Sequence, residues 1–223
     1  LAKSMKIVNL SEQNSLINRF IAEMRDVDIH GDSMRFRSNA RRLGEIMAYE
    51  ISKTLDYTEK RVTTPLGTKD MYLPTEEVVV ATILRAGLPM QIGLTNYFDK
   101  ADNAFVSAYR KEGGDSELGF DVHIEYLASP SLEGRTLILA DPMLATGSSM
   151  MLAYNALLTK GQPATTHFAA IIASQQGVDM LSKHAPEDST LWITALDDKL
   201  NEHAYIVPGL GDAGDLSFGT KMD

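Results

Sequence analysis

The sequence predicts an α/β protein built on a largely parallel sheet flanked by helices. Three observations carry that prediction. The runs "EVVVATIL", "NAFVSAYR", "TLILAD", "HFAAIIAS" and "TLWITALD" are short, apolar and rich in β-branched residues, as in strands buried on both faces. Helical stretches lie between several of them, and strands alternating with helices mean βαβ units around a parallel sheet. A turn of small residues, "ATGSS", follows one run directly. Ligands of such sheets sit beyond the carboxyl ends of the strands, where turns of this kind begin.

Taken in order, the sequence opens on "LAKSMKIVNL", which has no apolar h-region, and Met5 reads as a native start behind a short scar of Leu1–Ser4. "NSLINRFIAEMRD" places Leu16, Phe20 and Met24 at i, i+4 and i+8, the spacing of an amphipathic helix. "SNARRLGEIMAYEISKTL" repeats the signal through Leu43, Met47, Ile51 and Leu55, with Ser38 or Asn39 as N-cap. "RVTTPLGTKDMYL" reads as a β-hairpin excursion around Gly67. Then come the strand runs, separated by the helical stretches "PMQIGLTNYF", "SSMMLAYNALLTKG" (closed by Gly161) and "QQGVDMLSKH". "YRKEGGD" reads both as a source of cations and as a solvated loop, and Asp197-Asp198 as a polar strand exit with no role. No repeat or Pro/Gly/Ser linker divides the sequence, so residues 1–223 are expected to form a single domain.

Composition narrows the function. Apolar residues make up 44% and charged residues 23% of the total, the balance of an ordinary globular protein. Cysteine is absent, which fits a reducing compartment. No run approaches the roughly 20 apolar residues of a membrane span. A net charge of −9 speaks against an extended nucleic-acid surface, though not against a local basic pocket for one phosphorylated ligand. His30, His123, His167, His184 and His203 form no metal-ligand spacing, no Ser/His/Asp arrangement suggests a hydrolase, and Met150 and Met151 read as core fillers.

The strongest chemical signal is "TLILADPMLATGSSM": an apolar strand, Asp141, then a small-residue turn opening a helix. Such a turn offers unpaired N–H groups and the positive end of a helix dipole to a phosphate. No Lys follows the glycine, so this is not a Walker loop. A carboxylate just before a phosphate loop suits the hydroxyls of a ribose. The C-terminal "PGLGDAGDLSFGTKMD" contains G-x-G-x-x-G at Gly209, Gly211 and Gly214. A dinucleotide fingerprint must open a helix and meet an acid about 20 residues later. Here too few residues follow, and "DLSFGTKMD" shows no helical period, so the glycines need another explanation.

"DPMLATGSS" resembles the phosphoribosyl-diphosphate (PRPP) motif of uracil phosphoribosyltransferases. "ILRAGL" at 83–88 is similar to that family's pyrophosphate loop, "YRKE" at 109–112 to its second basic position, and "LNEHAYIVPGLGDAGDLSFGT" to its uracil-binding segment. Four motifs in order span nearly the whole sequence. The resemblance implies a type I phosphoribosyltransferase fold with a base-covering C-terminal segment, making UMP and pyrophosphate from uracil and PRPP. It also implies a cytoplasmic homo-oligomer (dimer or tetramer), Mg²⁺ held mainly through PRPP, and GTP as a possible effector. By the same carry-over Arg85, Arg110, Asp141, Pro142, Met143, Leu144, Ala145, Thr146, Gly147, Ser148 and Ser149 bind PRPP. Ile206, Gly211, Asp212 and Ala213 bind uracil. Asp212 also reaches PRPP, and Asp141, Arg85 and Asp212 are the catalytic candidates.

The chemistry agrees with the resemblance. Departure of pyrophosphate builds negative charge that Arg85 and Arg110 can meet. Uracil's flat edge suits backbone carbonyl and N–H groups brought close by the glycines. Ser148 stands where the family usually has a second glycine; it is harmless if φ there is negative and strained if φ is positive. Two other readings stay open: a regulatory phosphoribosyltransferase homologue binding RNA, which the acidic balance disfavours, and transfer to another base, such as a purine or orotate, which the C-terminal segment disfavours.

Overall fold

The structure, a computed structural model, describes residues 4–75, 77–112 and 120–222; for 108–112 and 120–123 it describes only the course of the backbone. In sequence order the elements are β1 (Lys6–Asn9), α1 (Leu16–Arg25), α2 (Ser33–Ser52), β2 (Tyr57–Thr64), β3 (Gly67–Pro74), β4 (Val78–Leu84) and α3 (Leu88–Tyr97). There follow β5 (Asp102–Glu112), β6 (Phe120–Ala128), β7 (Thr136–Ala140), β8 (Met143–Leu144), α4 (Ser148–Leu157), β9 (Thr165–Ser174) and α5 (Gln175–His184). The last elements are β10 (Thr190–Asp197), β11 (Lys199–Leu200), β12 (Ile206–Val207) and α6 (Ala213–Phe218).

The main sheet has the order β1-β10-β9-β7-β4-β5-β6, with β8 also on β9. Every pairing is parallel except β5 with β6. Alternation along β4 shows why its sequence is a continuous apolar run. Val78 and Val80 pack into one core with α1, α2 and α3. Val79, Ala81 and Ile83 pack into a second core with α4 and α5. The five apolar runs are strands, the α/β class holds, and the sheet is covered on both faces.

Two helices differ from the sequence reading. In α1 the buried residues are Ile17, Ile21 and Met24, whereas Leu16 is 66% exposed. Leu16-Ile17 and Phe20-Ile21 are adjacent apolar pairs, so periodicity alone admits either face, and packing selects the one that includes the isoleucines. α2 begins at Ser33, capped by Asp32, not at Ser38 or Asn39. Phe36 extends the apolar face upstream. Asn39 lies in mid-helix, fully buried, and donates from Nδ2 to Glu23 Oε2 at 2.9 Å.

The expected hairpin is β2–β3, paired from Tyr57↔Pro74 to Thr64↔Gly67 around Pro65-Leu66, and every residue of both strands is exposed. "YRKE", read in part as a loop, is strand: Arg110 pairs with Val122 of β6. The rest of that stretch, Gly113 to Asp115, lies outside the described residues. The short or polar strands β1, β6, β8 and β11 had no clear sequence signal, because edge and two-residue pairings need little apolar surface. α6 also corrects the reading that no helix follows the C-terminal glycines. Its six residues start at Asp212's cap, too short to show a period.

From β4 the backbone runs outward to β5 and β6, then returns to β7 on the other side of β4 and continues through β9 to β10. The connection after β4 carries α3 on one face, and that after β7 carries α4 on the other. The order therefore reverses between β4 and β7, and the crevice beyond their carboxyl ends is the topological switch point where such sheets bind ligands.

Candidate active site

Asp141 follows β7 at this crevice. Its N–H donates to the Ala169 carbonyl at 3.1 Å, and its Oδ1 accepts from the Met143 N–H at 3.2 Å. The Pro142 carbonyl accepts from the N–H groups of Ile171 and Ile172. Beyond Leu144 the backbone passes over the start of α5. Ser174, the N-cap of α5, accepts from the Gly177 N–H at 2.9 Å and donates to the Ala145 carbonyl at 2.5 Å. A Cβ on Gly177 would stand 2.5 Å from that carbonyl oxygen and 2.7 Å from that of Leu144. The positive end of α5 thus meets the loop's carbonyls, which fixes the loop from below.

Gly147 takes φ +83° as the N-cap of α4, and no side chain caps this helix. Ser148 is the first helical residue and is not among the positive-φ residues, so replacing the usual glycine costs no backbone strain. Its N–H approaches Thr146 Oγ1 at 3.3 Å, and Thr146 donates to Ser148 Oγ at 3.1 Å. Met151 is the first N–H of α4 to reach back into the helix, to Gly147. The first-turn amides of Ser149 and Met150 therefore have no intrahelical acceptor. Met143 to Gly147, with Ser149 and Met150, line a hollow of about 20 Å³. Open amides at the start of a helix are the arrangement that suits an anion.

The second corner is the turn after β4. The Leu84–Arg85 peptide is cis. At Gly87 a Cβ would lie 2.6 Å from the Ile83 carbonyl oxygen and 3.3 Å from that of Ala140, so the turn closes against the end of β7, next to Asp141. Arg85 reaches the C-terminal segment: Nη2 donates to Asp215 Oδ1 at 3.0 Å, and Nη1 lies 3.4 Å from the Gly219 carbonyl. The ion partner is Asp215, which sequence reading did not single out. Asp212 caps α6, its Oδ1 accepting from the Asp215 N–H at 2.9 Å. Gly214 packs there, where a Cβ would meet Asp212 Oδ1 at 3.2 Å and Arg85 Nη2 at 3.6 Å. Arg110 lies on β5, the strand beside β4, but its side chain is outside the described residues.

The third corner is the segment from Ile206 to Ala213. The side chains of Ile206, Leu210 and Ala213 are turned into the core, at 4%, 4% and 2% exposure. Between them Pro208 and Gly211 are exposed and Val207 and Asp212 half-buried, and at Gly211 the backbone is open with no side chain of its own over it. Gly209 and Gly211 have φ +61° and +98°, conformations that favour glycine. At Gly209 a Cβ would overlap the Ile206 carbonyl oxygen, whereas at Gly211 nothing lies closer than Leu216 at 3.7 Å. Of this pair, only Gly211 is required by dihedral alone.

The loop is tied to Asp197, which is anything but a bare strand exit. Asp197 Oδ2 accepts from the Gly209 N–H at 2.8 Å, and Arg25 forks onto both carboxylate oxygens at 2.7 Å. Burial pushes the Asp197 carboxyl up. The hydrogen bonds from Arg25 and Gly209 and the Arg25 charge outweigh it and hold the carboxyl below its usual range. Asp197, Arg25, Ser174 and Asp215 are the positions that sequence reasoning missed. Ser174 alone left a usable signal, a cap-type residue between a strand run and a helix.

With this geometry in view, the family model described as uracil phosphoribosyltransferase matches residues 11–220. A uracil phosphoribosyltransferase of Porphyromonas gingivalis is 57% identical over 98% of this chain and 100% of its own length. The chain belongs to the uracil phosphoribosyltransferase family. A uracil phosphoribosyltransferase of Methanothermobacter thermautotrophicus is 38% identical over 86% of this chain and 87% of its own. Among solved structures, the AQ2163 protein of Aquifex aeolicus superposes with TM-score 0.86 at 30% identity, over 97% of this chain and 100% of that one. A hypoxanthine phosphoribosyltransferase of Staphylococcus aureus, at 13% identity and TM-score 0.50 over 74% and 76% of the two chains, shares the fold alone. The type I phosphoribosyltransferase architecture is thus common to both structures.

Proposed function

We propose that this protein transfers the phosphoribosyl group of PRPP to uracil, giving UMP and pyrophosphate, a salvage step toward pyrimidine nucleotides. One observation carries the reading. At a single switch point lie a helix N-terminus with open amides, a strand-end carboxylate, an arginine turn and a glycine-bent segment with Ile206, Leu210 and Ala213 packed inward, which supports main-chain reading of a flat base.

In this reading the 5′-phosphate sits on the first turn of α4, against the amides and hydroxyls of residues 146–149. Asp141 accepts from the ribose hydroxyls. Arg85, with Arg110 from the neighbouring strand, meets the charge that grows on the departing diphosphate, where a donor is worth most in the transition state. Asp212 closes the PRPP side of the base loop. Uracil presents two carbonyls with an N–H between them, and main-chain groups of Ile206 and Gly211 to Ala213 complement that edge. Cytosine reverses the pattern at two adjacent positions, leaving buried polar groups unpaired.

Mg²⁺ belongs to the proposal as a companion of PRPP. Among the described residues no three His, Cys, Asp or Glu side chains form a cluster that could hold a metal. The residues present fit a cation that keeps its waters and binds through substrate phosphates, with Asp141 the strand-end carboxylate at hand. When bound, it would neutralise diphosphate charge. Among the described residues no helix is long and apolar enough to cross a membrane, and a cytoplasmic location goes with the proposed substrates. A homo-oligomer is proposed on the β2–β3 arm, whose Leu66 is 99% and Tyr72 66% exposed, since a lone hairpin is marginal in water. GTP as an effector rests on the family resemblance alone.

The test is one assay with PRPP and Mg²⁺, supplying uracil, cytosine, orotate and hypoxanthine in turn. The expected product is UMP from uracil alone. Comparable nucleotide from another base, or none from uracil with folded protein, overturns the reading.

A further inference from the structure

The grip on Gly209 is unusual in what it holds. Arg25 is the last residue of α1, Asp197 the last of β10, and Gly209 lies between β12 and α6. Arg25 Nη1 donates both to Asp197 Oδ2 at 2.7 Å and to the Gly209 carbonyl at 2.8 Å. Arg25 Nη2 donates to Asp197 Oδ1 at 2.7 Å. The Gly209 N–H closes the ring on Asp197 Oδ2 at 2.8 Å. One residue of the loop therefore has its donor held by a carboxylate and its acceptor held by the guanidinium paired with that carboxylate.

An ion pair that served stability alone would be complete in the bidentate fork. Here each partner makes a further hydrogen bond, and both go to a single main-chain residue. That residue sits three positions beyond Ile206 and two before Gly211. With Cβ excluded by the Ile206 carbonyl, the backbone at Gly209 has no side chain of its own to fix it. The downstream end of the segment is held separately, by Asp212's cap on α6 and by Arg37 donating to the Ser217 carbonyl at 2.6 Å. The pairing of β12 with β11 holds Ile206 and Val207, and the Arg25–Asp197 ring carries that hold on to Gly209, where the strand pairing has ended.

We propose that Arg25 and Asp197 are positioning residues of the base site: through Gly209 they fix the main-chain groups of residues 206–213 at the spacing uracil requires. The proposal rests on the reading of that segment as the uracil site. Neither residue touches the reacting atoms, and both act through the loop. Loosening the ring lets the backbone shift, which weakens uracil binding and lets the donor–acceptor pattern relax toward cytosine.

The experiment measures steady-state kinetics for uracil and cytosine, and PRPP affinity by calorimetry without a base, in four variants. Asp197→Asn and Arg25→Lys weaken the ring conservatively. Arg25→Met/Asp197→Leu replaces the ion pair with apolar side chains, a change that often preserves stability. Gly211→Ala perturbs the proposed base-reading residue itself. The expected result for the three ring variants is a uracil KM raised about 10-fold or more with kcat changed far less. The uracil-to-cytosine ratio should narrow, and the PRPP dissociation constant should stay within about 3-fold of the parent. A merely structural pair would instead lower the melting temperature and the active fraction, and the apolar double variant would recover parental uracil KM.

Unchanged uracil KM and base ratio in folded ring variants, while Gly211→Ala impairs uracil, overturns the positioning role alone. Unchanged uracil kinetics in Gly211→Ala as well overturns the base-site reading, and the positioning role with it.

Discussion

His167 and Trp192 form a buried pair from which acid sensitivity can be worked out. His167 on β9 is 3% exposed and Trp192 on the adjacent β10 is 4% exposed, and Trp192 Nε1 donates to His167 Nδ1 at 3.2 Å. Desolvation lowers the His167 pKa to about 4, against about 6.5 in an unfolded chain. The native state thus favours neutral imidazole, and protonation also removes the acceptor that Trp192 uses. With the folded pKa below the unfolded one, the unfolded state binds more protons between these values. The stabilisation is fully present above pH 6.5 and is lost as pH falls toward 4. Linkage between pKa values of about 6.5 and 4 gives a loss of about 2 kcal/mol on going from pH 7.5 to 5.0.

Trp192 is the protein's single tryptophan, so its fluorescence reports on this contact during urea unfolding. The comparison is between the parent and His167→Gln, which offers an acceptor without titrating in this window. The parent should lose about 2 kcal/mol more than the variant between the two pH values. His167 lies near the start of β9, with Ser174 and the site seven residues on, so PRPP and uracil KM of the folded enzyme should be unaffected. Equal pH dependence in parent and variant would show that His167 is not held neutral by burial, and the reasoning would fail.

Three further outcomes are expected. Asp141→Ala should cost about 10- to 150-fold in kcat/KM for each charge-assisted bond it removes from the ribose; unchanged kinetics with PRPP would remove Asp141 from the site. Arg85→Lys should lower kcat more than it weakens PRPP binding, because Arg85 is 41% exposed and its pair with Asp215 adds little stability that a Lys would forfeit; a pure KM effect would reduce Arg85 to a ground-state contact. Gly209→Ala must move the Ile206 carbonyl and adopt a left-handed backbone, a strain of about 1–2 kcal/mol before any clash. That corresponds to a fall of about 2–8 °C in Tm, and a calorimetric scan showing no fall would contradict the loop geometry.

The sequence by itself determined what is written locally. Strands buried on both faces appear as unbroken apolar runs, so β4, β7, β9 and β10 were legible from composition. The small-residue turn was legible as an anion site because a strand, Asp141 and the turn follow one another directly in "TLILADPMLATGSS". Tertiary structure decided which of two apolar pairs on α1 faces inward, since helical period fits both and only the packing of α1 against α2 and the sheet separates them. It also decided the partners of the charges. Arg85 meets Asp215 across 130 positions, and Arg25 meets Asp197 across 172 and Gly209 across 184. Such pairs leave no periodic trace, because their specificity lies in where the sheet order brings strand ends and the returning C-terminal segment together. Asp197 therefore read as a solvated exit in the sequence, and only the fold shows it buried against a guanidinium and a glycine amide.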